Sequence, residues 1–223
     1  MSNFYSNKLY AKRYFKILIN FKKDFPKKFL IQNTGLFIGD KAFYKILKNF
    51  EILKEVKNVK GEIIEFGVWN GNNLITMKKI LDYLNINKTV IGYDNFNGMP
   101  KSDHGNRFIG NKKLIKFIIG FFKLKRINIL EDDIMNLKNN LKKIPKLSLI
   151  YIDCDLYNTT KIILDLLTKK LSKGGLVVFD EANLGQGEEG KAAQEFFKKN
   201  KRKFKEIILK KFYQPDYILK KIN

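Results

Sequence analysis

The 223-residue sequence predicts an α/β protein built on a central, mostly parallel sheet. Apolar, strand-like runs alternate with helix-like segments from Glu62 onward, and this alternation is typical of a parallel sheet covered on both faces. The first of these runs leads into a turn with two glycines, Gly67 and Gly71, and then into a helix. Two β-like runs end the chain, and because their link is short they can pair only as antiparallel neighbours.

Two helices are expected before the sheet, so that residues 1–60 form a helical cap on a compact domain of residues 61–223. The first lies within residues 1–30, where aromatic and aliphatic side chains recur at helical spacing until Pro26. The second runs from about Asp40, a suitable N-cap, to Val56. Its predicted apolar face consists of Phe43, Ile46, Leu47, Phe50 and Leu53. The sequence leaves open whether these helices cover a sheet edge, roof a pocket or contact a second subunit.

The elements of the sheet follow from the same periodicities. Strands are predicted at 62–68, 89–94, 126–130, 147–153 and 175–180. Helices are predicted at 72–84, 111–122, 134–142, 159–171 and 188–199. The run Leu147–Ile152 is almost wholly apolar, which favours a central strand buried on both faces. The antiparallel pair at the C-terminus is predicted at 204–209 and 212–219.

Composition favours a folded protein in a reducing, cytoplasmic setting. Hydrophobic residues make up 44% of the chain and aromatic residues 13%, as in globular proteins. No apolar run approaches the roughly 20 residues that span a bilayer, so no membrane insertion is expected. The only cysteine, Cys154, excludes an intrachain disulfide, and its acidic neighbours disfavour a nucleophilic thiolate.

The formal net charge of +22 invites a nucleic-acid partner, but the kind of cation argues against one. Only four of the 44 basic residues are arginines, the residues that give bidentate contacts to bases and phosphates. The lysines are spread over nearly every segment, together with abundant Asn, Ile and Phe. This pattern indicates a bias of overall composition, so no specific nucleic-acid partner is expected. The positive electrostatic field of the protein should still attract anionic substrates.

The glycine turn and the acids around it predict a site for a nucleoside-type cofactor. Glu65 lies at the end of the first strand, and Gly67 and Gly71 follow before the helix. Glycines permit close approach of a ligand to the backbone, and the start of a helix presents free N–H groups. The second strand ends in Asp94, where an acid accepts hydrogen bonds from a ribose.

Acids also follow the other strands, and some of them suggest a metal site. Asp153, Asp180 and Glu181 stand at the ends of the fourth and fifth predicted strands, at the edge where ligands of open α/β sheets bind. Ligands that are all oxygen favour Mg²⁺, and one histidine with one cysteine makes a zinc site of the usual kind unsuitable. The alternative is that these acids only cap helices or lie solvated in loops.

Four segments in this order resemble the macrocin-type O-methyltransferases: Glu65–Gly71, Tyr93–Pro100, Ile152–Tyr157 and Phe179–Glu181. The resemblance covers about residues 35–200. It implies a Rossmann-like class I methyltransferase fold, with S-adenosylmethionine and Mg²⁺ as cofactors and sugar hydroxyls as methyl acceptors. Two positions depart from the family pattern, since Asn97 stands where an acid is common and Tyr151 where a histidine is common.

The resemblance also implies roles for individual residues. The residues around the methionine part of the cofactor would be Glu65, Gly67, Val68, Trp69 and Gly71. Asp94 would bind the ribose hydroxyls, and Asp133, with Asp132 as the competing choice, would lie near the adenine amino group. Asp153, Asp180 and Glu181 would hold Mg²⁺.

Two residues compete for the role of catalytic base. Asp153 lies at the predicted metal site. His104 is the only histidine, in the loop 101–107, which follows the predicted ribose ligand and could close over the substrate.

The expected function is therefore Mg²⁺-dependent transfer of a methyl group from S-adenosylmethionine to a hydroxyl of a sugar or nucleotide sugar, in a surface-glycan precursor or a natural-product glycoside. The sequence also allows a homo-oligomer. A dehydrogenase is disfavoured because the turn lacks the Gly-x-Gly-x-x-Gly spacing. Three alternatives stay open: a methyltransferase for a non-sugar diol, one for nucleic acid, or a non-catalytic binding protein of the same fold.

Overall fold

The computed structural model describes residues 38–99, 108–182, 188–208 and 214–223. The helices are α1 (Asp40–Glu55), α2 (Asn72–Tyr83), α3 (Lys112–Phe121), α4 (Leu137–Asn140), α5 (Tyr157–Leu167) and α6 (Glu188–Asn200). The strands are β1 (Glu62–Phe66), β2 (Val90–Asp94), β3 (Ile127–Glu131), β4 (Leu147–Ile152), β5 (Leu171–Phe179), β6 (Phe204–Glu206) and β7 (Tyr217–Lys221). The predicted helix within residues 1–30 and the loop that contains His104 lie outside the described residues.

The strands form one sheet in the order β3-β2-β1-β4-β5-β7-β6. The first five strands run parallel to one another, and β7 runs antiparallel to both β5 and β6. This arrangement confirms the predicted α/β class with an antiparallel C-terminal pair. None of the described helices is long and apolar enough to cross a membrane.

The two faces of the sheet each carry a hydrophobic core, and β4 contributes to both. Ile150 and Ile152 pack into one core, whereas Leu149 and Tyr151 pack into the other. Every residue of β4 is buried, because β1 and β5 flank it and helices cover its faces. The prediction of a central buried strand at Leu147–Ile152 is confirmed.

The chain divides into two compact units, Met1–Phe43 and Tyr44–Asn223. The division falls inside α1, and the second unit contains the whole sheet. The predicted boundary between a cap and a catalytic domain at residue 60 stays a prediction.

Several predicted element bounds were wrong. The helix predicted at 159–171 ends at Leu167, and β5 starts at Leu171 rather than at residue 175, with Gly174 inside it at a φ of 81°. The helix predicted at 134–142 is a single short α4 with a 3₁₀ turn on each side. Its asparagines favour turns, because their side chains compete for backbone hydrogen bonds. In the C-terminal pair, β6 is only three residues long, and β7 begins at Tyr217.

The face of α1 that packs on the protein agrees only in part with the predicted one. Leu53 is buried as predicted, and two further members are partly buried against the core, Ile46 and Phe50. Phe43 and Leu47 are 45% and 46% exposed, whereas the buried positions include Lys48, Asn49 and Ile52. Apolar periodicity could not identify the whole buried face, because polar side chains occupy much of it. These polar side chains contact groups near the carboxyl ends of the strands, which are described below.

Candidate active site

The carboxyl ends of the strands bring most of the predicted acids to one edge. Phe66 of β1 pairs with Ile152 of β4, which in turn pairs with Phe179 of β5. The residues that follow, Asp153 and Asp180, therefore leave neighbouring strands side by side. The backbone N–H of Asp180 donates to the carbonyl of Ile152 at 3.0 Å, which extends this pairing past the strand ends.

Gly67 is required by the protein's own packing. Its φ is 84°, and a Cβ added there would lie 1.8 Å from the carbonyl oxygen of Asp153. The backbone N–H of Asp153 also donates to the carbonyl of Phe66 at 2.9 Å. The ends of β1 and β4 can approach this closely only because residue 67 has no side chain. Gly71, with a φ of 79°, directly precedes α2 and lies against Ile115.

Asp94 holds the glycine turn in place. Its carboxylate accepts hydrogen bonds from the backbone N–H groups of Val68 at 2.7 Å, Trp69 at 2.8 Å and Phe96 at 2.7 Å. Val68 is buried, whereas Trp69 is 48% exposed and its ring meets the ring of Phe108 edge-on at 5.9 Å. Since a carboxylate has about four acceptor positions, Asp94 keeps capacity for the predicted ribose contact.

Glu65 offers an acceptor that the protein leaves without a partner. The residue is 1% exposed, and its Oε1 accepts from the side-chain amide of Asn73 at 2.9 Å. Asn73 in turn accepts from Asn49 of α1 at 2.6 Å, which fixes the orientation of its amide. The other oxygen, Oε2, is buried and has no hydrogen-bond partner. Burial raises the pKa of Glu65 to about 8, because the hydrogen bond from Asn73 and the charge of Lys45 do not compensate for the loss of solvent.

The unpartnered oxygen of Glu65 fits the predicted cofactor. S-adenosylmethionine carries an α-ammonium group, a donor of the charge and kind that a buried carboxylate oxygen needs. The residues at the turn therefore suit the methionine part of this cofactor. Their predicted contacts with it stay predictions.

The adenine candidates, Asp132 and Asp133, have different structural tasks. Asp132 accepts hydrogen bonds from the side chains of Asn136 at 2.9 Å and Asn140 at 2.6 Å, and these bonds lower its pKa. Asp133 uses Oδ1 to accept from the N–H of Met135 at 2.8 Å, which caps a 3₁₀ turn. Because both oxygens of Asp132 serve the loop, Asp133 is the better placed of the two for a ligand.

A lysine lies between two of the three acids that were predicted to bind metal. Nζ of Lys45, from α1, lies 2.7 Å from Oδ1 of Asp180 and 3.3 Å from Oδ2 of Asp153. The hydroxyl of Tyr151 donates to the same Oδ1 of Asp180 at 2.5 Å. Nζ of Lys45 also lies 5.8 Å from the centre of the Tyr151 ring.

The electrostatics of this group are those of buried acids that share one ammonium. Burial, with the charge of Asp180 next, raises the pKa of Asp153. Burial alone lowers the pKa of Lys45, but the charges of Asp153 and Asp180 outweigh it, so the pKa is raised and the side chain stays an ammonium. Burial and Asp180 raise the pKa of Tyr151 well above its ordinary value, so its hydroxyl keeps its proton.

The residues predicted to hold Mg²⁺ do not fit that ion in this arrangement. Oδ1 of Asp180 already receives two donors, from Lys45 and Tyr151. The side chain of Gln214 donates to Glu181. Within the described ranges, no three His, Cys, Asp or Glu side chains converge in a way that could hold a metal ion. The prediction of a metal site at Asp153, Asp180 and Glu181 is therefore not supported here.

Two acids from the first turn of α6 complete the site and were not predicted from the sequence. Glu189 is fully buried, and its Oε2 accepts from the backbone N–H of Asp155 at 3.3 Å. Glu188 accepts from the N–H of Tyr157 at 3.4 Å. Together they hold the loop after β4, which carries Asp153. Burial, with Asp153 next, raises the pKa of Glu189 well above its ordinary value.

Cys154 behaves as expected from its acidic neighbours. Burial and the nearby Glu189 raise the pKa of its thiol well above the ordinary value. A nucleophilic thiolate at this position is therefore disfavoured.

Lys45 was also missed, and here the sequence did contain a signal. Lys45, Lys48, Asn49 and Ile52 recur at helical spacing, which marks one face of α1 that is polar at one end and apolar at the other. Such a stripe indicates a helix whose start lies over a polar site and whose end lies over the core.

Comparison with known proteins identifies the family. The macrocin O-methyltransferase (TylF) family matches residues 36–210. A curated relative from Streptomyces olivaceus, 8-demethyl-8-(2,3-dimethoxy-alpha-L-rhamnosyl)-tetracenomycin-C 4'-O-methyltransferase, is 28% identical over 139 residues. That alignment covers 55% of this chain and 53% of the relative, so the match spans about half the length of the curated relative.

Solved structures share the fold. The calicheamicin methyltransferase CalS11 has a TM-score of 0.74 at 22% identity, with 96% of this chain and 91% of CalS11 covered. The O-methyltransferase NovP has a TM-score of 0.61 at 21% identity, with 83% of this chain and 81% of NovP covered. Because the family match extends over most of the sequence, the chain belongs to the macrocin O-methyltransferase family.

Proposed function

We propose that this protein transfers a methyl group from S-adenosylmethionine to a hydroxyl of a sugar, carried either by a nucleotide or by a glycoside. Membership of the macrocin O-methyltransferase family supports the reaction class. The names of the relatives support the acceptor class. The curated relative methylates a rhamnosyl group, and a second structure of CalS11 is described as a TDP-rhamnose 3'-O-methyltransferase.

One observation carries the proposal: the cofactor turn and the acid cluster meet at Asp153. The carbonyl oxygen of Asp153 lies against Gly67, and its carboxylate contacts Lys45 beside Asp180. Its side chain keeps 28% exposure, whereas that of Asp180 has 4%. An acceptor hydroxyl can therefore reach Asp153 from solvent, next to the turn assigned to the cofactor.

The chain's residues have separable tasks in this proposal. The bound cofactor supplies an electrophilic methyl group on a sulfonium. Glu65 pairs with its ammonium through the free Oε2, and the N–H groups at the start of α2 face the same turn. Asp94 fixes the turn and contacts the ribose hydroxyls, while Asp133 contacts the adenine.

Asp153 accepts the proton of the acceptor hydroxyl in this scheme. Its pKa is raised by burial and by Asp180, and a carboxylate with a raised pKa is a better base near neutral pH. His104 remains the competing candidate for this role. The predicted Mg²⁺ requirement is not part of the proposal, because Lys45 lies between two of the three predicted ligands.

The test is a methyl-transfer assay with isotopically labelled S-adenosylmethionine. Candidate acceptors are TDP-rhamnose, other nucleotide sugars and a rhamnosylated glycoside, and mass spectrometry locates the added methyl. We expect transfer to a sugar hydroxyl, and a loss of about 100-fold or more in Asp153→Asn, as for removal of a general base. Asp165→Asn, the same change at an exposed position on α5, is the matched control and should keep full activity.

Three results would contradict the proposal. The first is a failure to bind S-adenosylhomocysteine in calorimetry, which would show that the site does not take the proposed cofactor. The second is transfer to nucleic acid in preference to every sugar. The third is wild-type turnover in Asp153→Asn, which would move the role of base to His104 or elsewhere.

A further inference from the structure

Lys45 stands at the point where the sequence predicted a divalent cation. Its Nζ contacts carboxylate oxygens of both Asp153 and Asp180, which leave neighbouring strands. The predicted metal site required a cation that contacts both of these carboxylates. The chain supplies that cation from α1, as a covalently attached ammonium.

The position of Lys45 is fixed by the rest of its helix. One turn further on, the ammonium of Lys48 donates to the carbonyl of Pro215 at 2.5 Å. Ile52 and Leu53 follow on the same face and are 1% and 0% exposed. Since α1 is anchored through these residues, the ammonium of Lys45 is held over the acids by the packing of the part of the helix that follows it.

An ammonium at this place and a divalent ion exclude each other. A metal bound to both Asp153 and Asp180 would lie against Nζ of Lys45, and like charges at such a short distance repel strongly in a site that is only partly open to solvent. Oδ1 of Asp180 has no acceptor position left, because it receives the donors of Lys45 and Tyr151. Glu181, the third expected ligand, is engaged by Gln214.

We propose that Lys45 is the fixed cation of this site, a positioning residue that holds Asp153 and Asp180 together in place of Mg²⁺. The protein then neither binds nor requires a divalent ion at this place. This deepens the proposed O-methyltransferase function and rests on it for its catalytic meaning. Its central test needs no turnover, because it measures metal binding to the protein alone.

Three variants of α1 separate charge from packing. Lys45→Met removes the ammonium and keeps an unbranched stem, which leaves two carboxylates facing an uncharged space. Lys45→Arg keeps the positive charge. Lys54→Met removes a lysine from the same helix at an exposed position and controls for the change in net charge.

The probe is Mn²⁺, followed by electron paramagnetic resonance on the full chain without cofactor or acceptor. We expect Lys45→Met to bind one Mn²⁺ at least about tenfold more tightly than the wild type, because a like charge next to the site is gone. Lys45→Arg and Lys54→Met should bind like the wild type. Adding Asp180→Asn to Lys45→Met should abolish the gain, which places the ion at this pair of acids.

Equal Mn²⁺ binding by the wild type and Lys45→Met overturns the proposal, as does a gain of binding in Lys45→Arg. Circular dichroism checks that each variant is folded. If Lys45→Met does not fold, Lys45→Gln provides the uncharged comparison, since its amide can still hydrogen-bond to the acids.

Activity gives a second readout. Turnover of the wild type should change by less than about twofold in excess EDTA, whereas Lys45→Met should lose activity in EDTA and regain part of it with Mg²⁺. Wild-type turnover that is lost in EDTA and restored by Mg²⁺ overturns the proposal. If no acceptor is methylated but Mn²⁺ binding differs as expected, the proposed function fails while the role of Lys45 as the fixed cation stands.

Discussion

Replacing Gly67 by alanine tests whether the close contact between the ends of β1 and β4 is essential. The new methyl group would lie 1.8 Å from the carbonyl oxygen of Asp153 and 2.7 Å from its carbonyl carbon. Both atoms belong to the backbone, so no side-chain rotation can relieve the overlap. The residue would also have to keep a φ of 84°, which disfavours any residue with a Cβ.

The size of the effect follows from these two costs. The left-handed conformation costs a residue with a side chain about 1–2 kcal/mol. Forcing an extra carbon into packed surroundings costs a further 1–3 kcal/mol, roughly. We therefore expect Gly67→Ala to lower the free energy of unfolding by about 2–5 kcal/mol.

Gly174→Ala is a matched control for this experiment. Gly174 has a φ of 81°, but an added Cβ would find its nearest neighbour, a methyl of Val59, at 3.4 Å. Only the conformational cost of about 1–2 kcal/mol should then apply. Urea unfolding followed by circular dichroism measures both variants. If Gly67→Ala is no less stable than Gly174→Ala, the argument from steric overlap is wrong.

Three further predictions concern residues of the cofactor site. Glu65→Gln should weaken S-adenosylhomocysteine binding about tenfold or more in calorimetry, because the ammonium loses a charged partner; unchanged affinity would exclude the assigned contact. Burial raises the pKa of Glu65 from 4.5 to about 8, so between these pH values the folded state binds more protons than the unfolded state. The stability contributed by Glu65 therefore falls as pH rises through this window. Glu65→Gln should flatten this part of the pH–stability profile measured by urea unfolding. Asp133→Ser should keep the cap of the 3₁₀ turn and the melting temperature, but it should weaken S-adenosylhomocysteine binding about tenfold. Asp132→Ala should instead lower the melting temperature, because Asp132 holds the loop. The reverse pattern would assign the adenine contact to Asp132.

The sheet could be predicted from the sequence because its signals are local. The wholly apolar run of β4 marks a strand buried on both faces, and the acid after each parallel strand must lie at one edge whatever the details of packing. The approach of Asp153 and Asp180 needed only that β4 and β5 are neighbours. The start of β5 was predicted four residues too late, because glycines interrupt the strand signal after Leu171 and Ser172.

The cation at the site was missed because it depends on contacts between distant segments. Lys45 precedes Asp153 by 108 positions, and no spacing rule connects a helix before the sheet with the end of β4. Glu189 is a similar case, since it reaches back to Asp155 across 34 positions. Counting acids predicted a bound metal, whereas the structure shows that a lysine from α1 already pairs with two of them.

Asp153 connects the stability of the turn with the chemistry of the site. Its N–H is bonded to Phe66, its carbonyl oxygen lies against Gly67, and its carboxylate contacts Lys45. A change that pushes the two strand ends apart must therefore also move this carboxylate relative to the ammonium. In the proposed reaction, Gly67→Ala should then reduce kcat more than it reduces affinity for S-adenosylhomocysteine, because Glu65 and Asp94 are held by separate hydrogen bonds. Equal losses in both would mean that the turn deforms as a whole and that Asp153 is not the point of coupling.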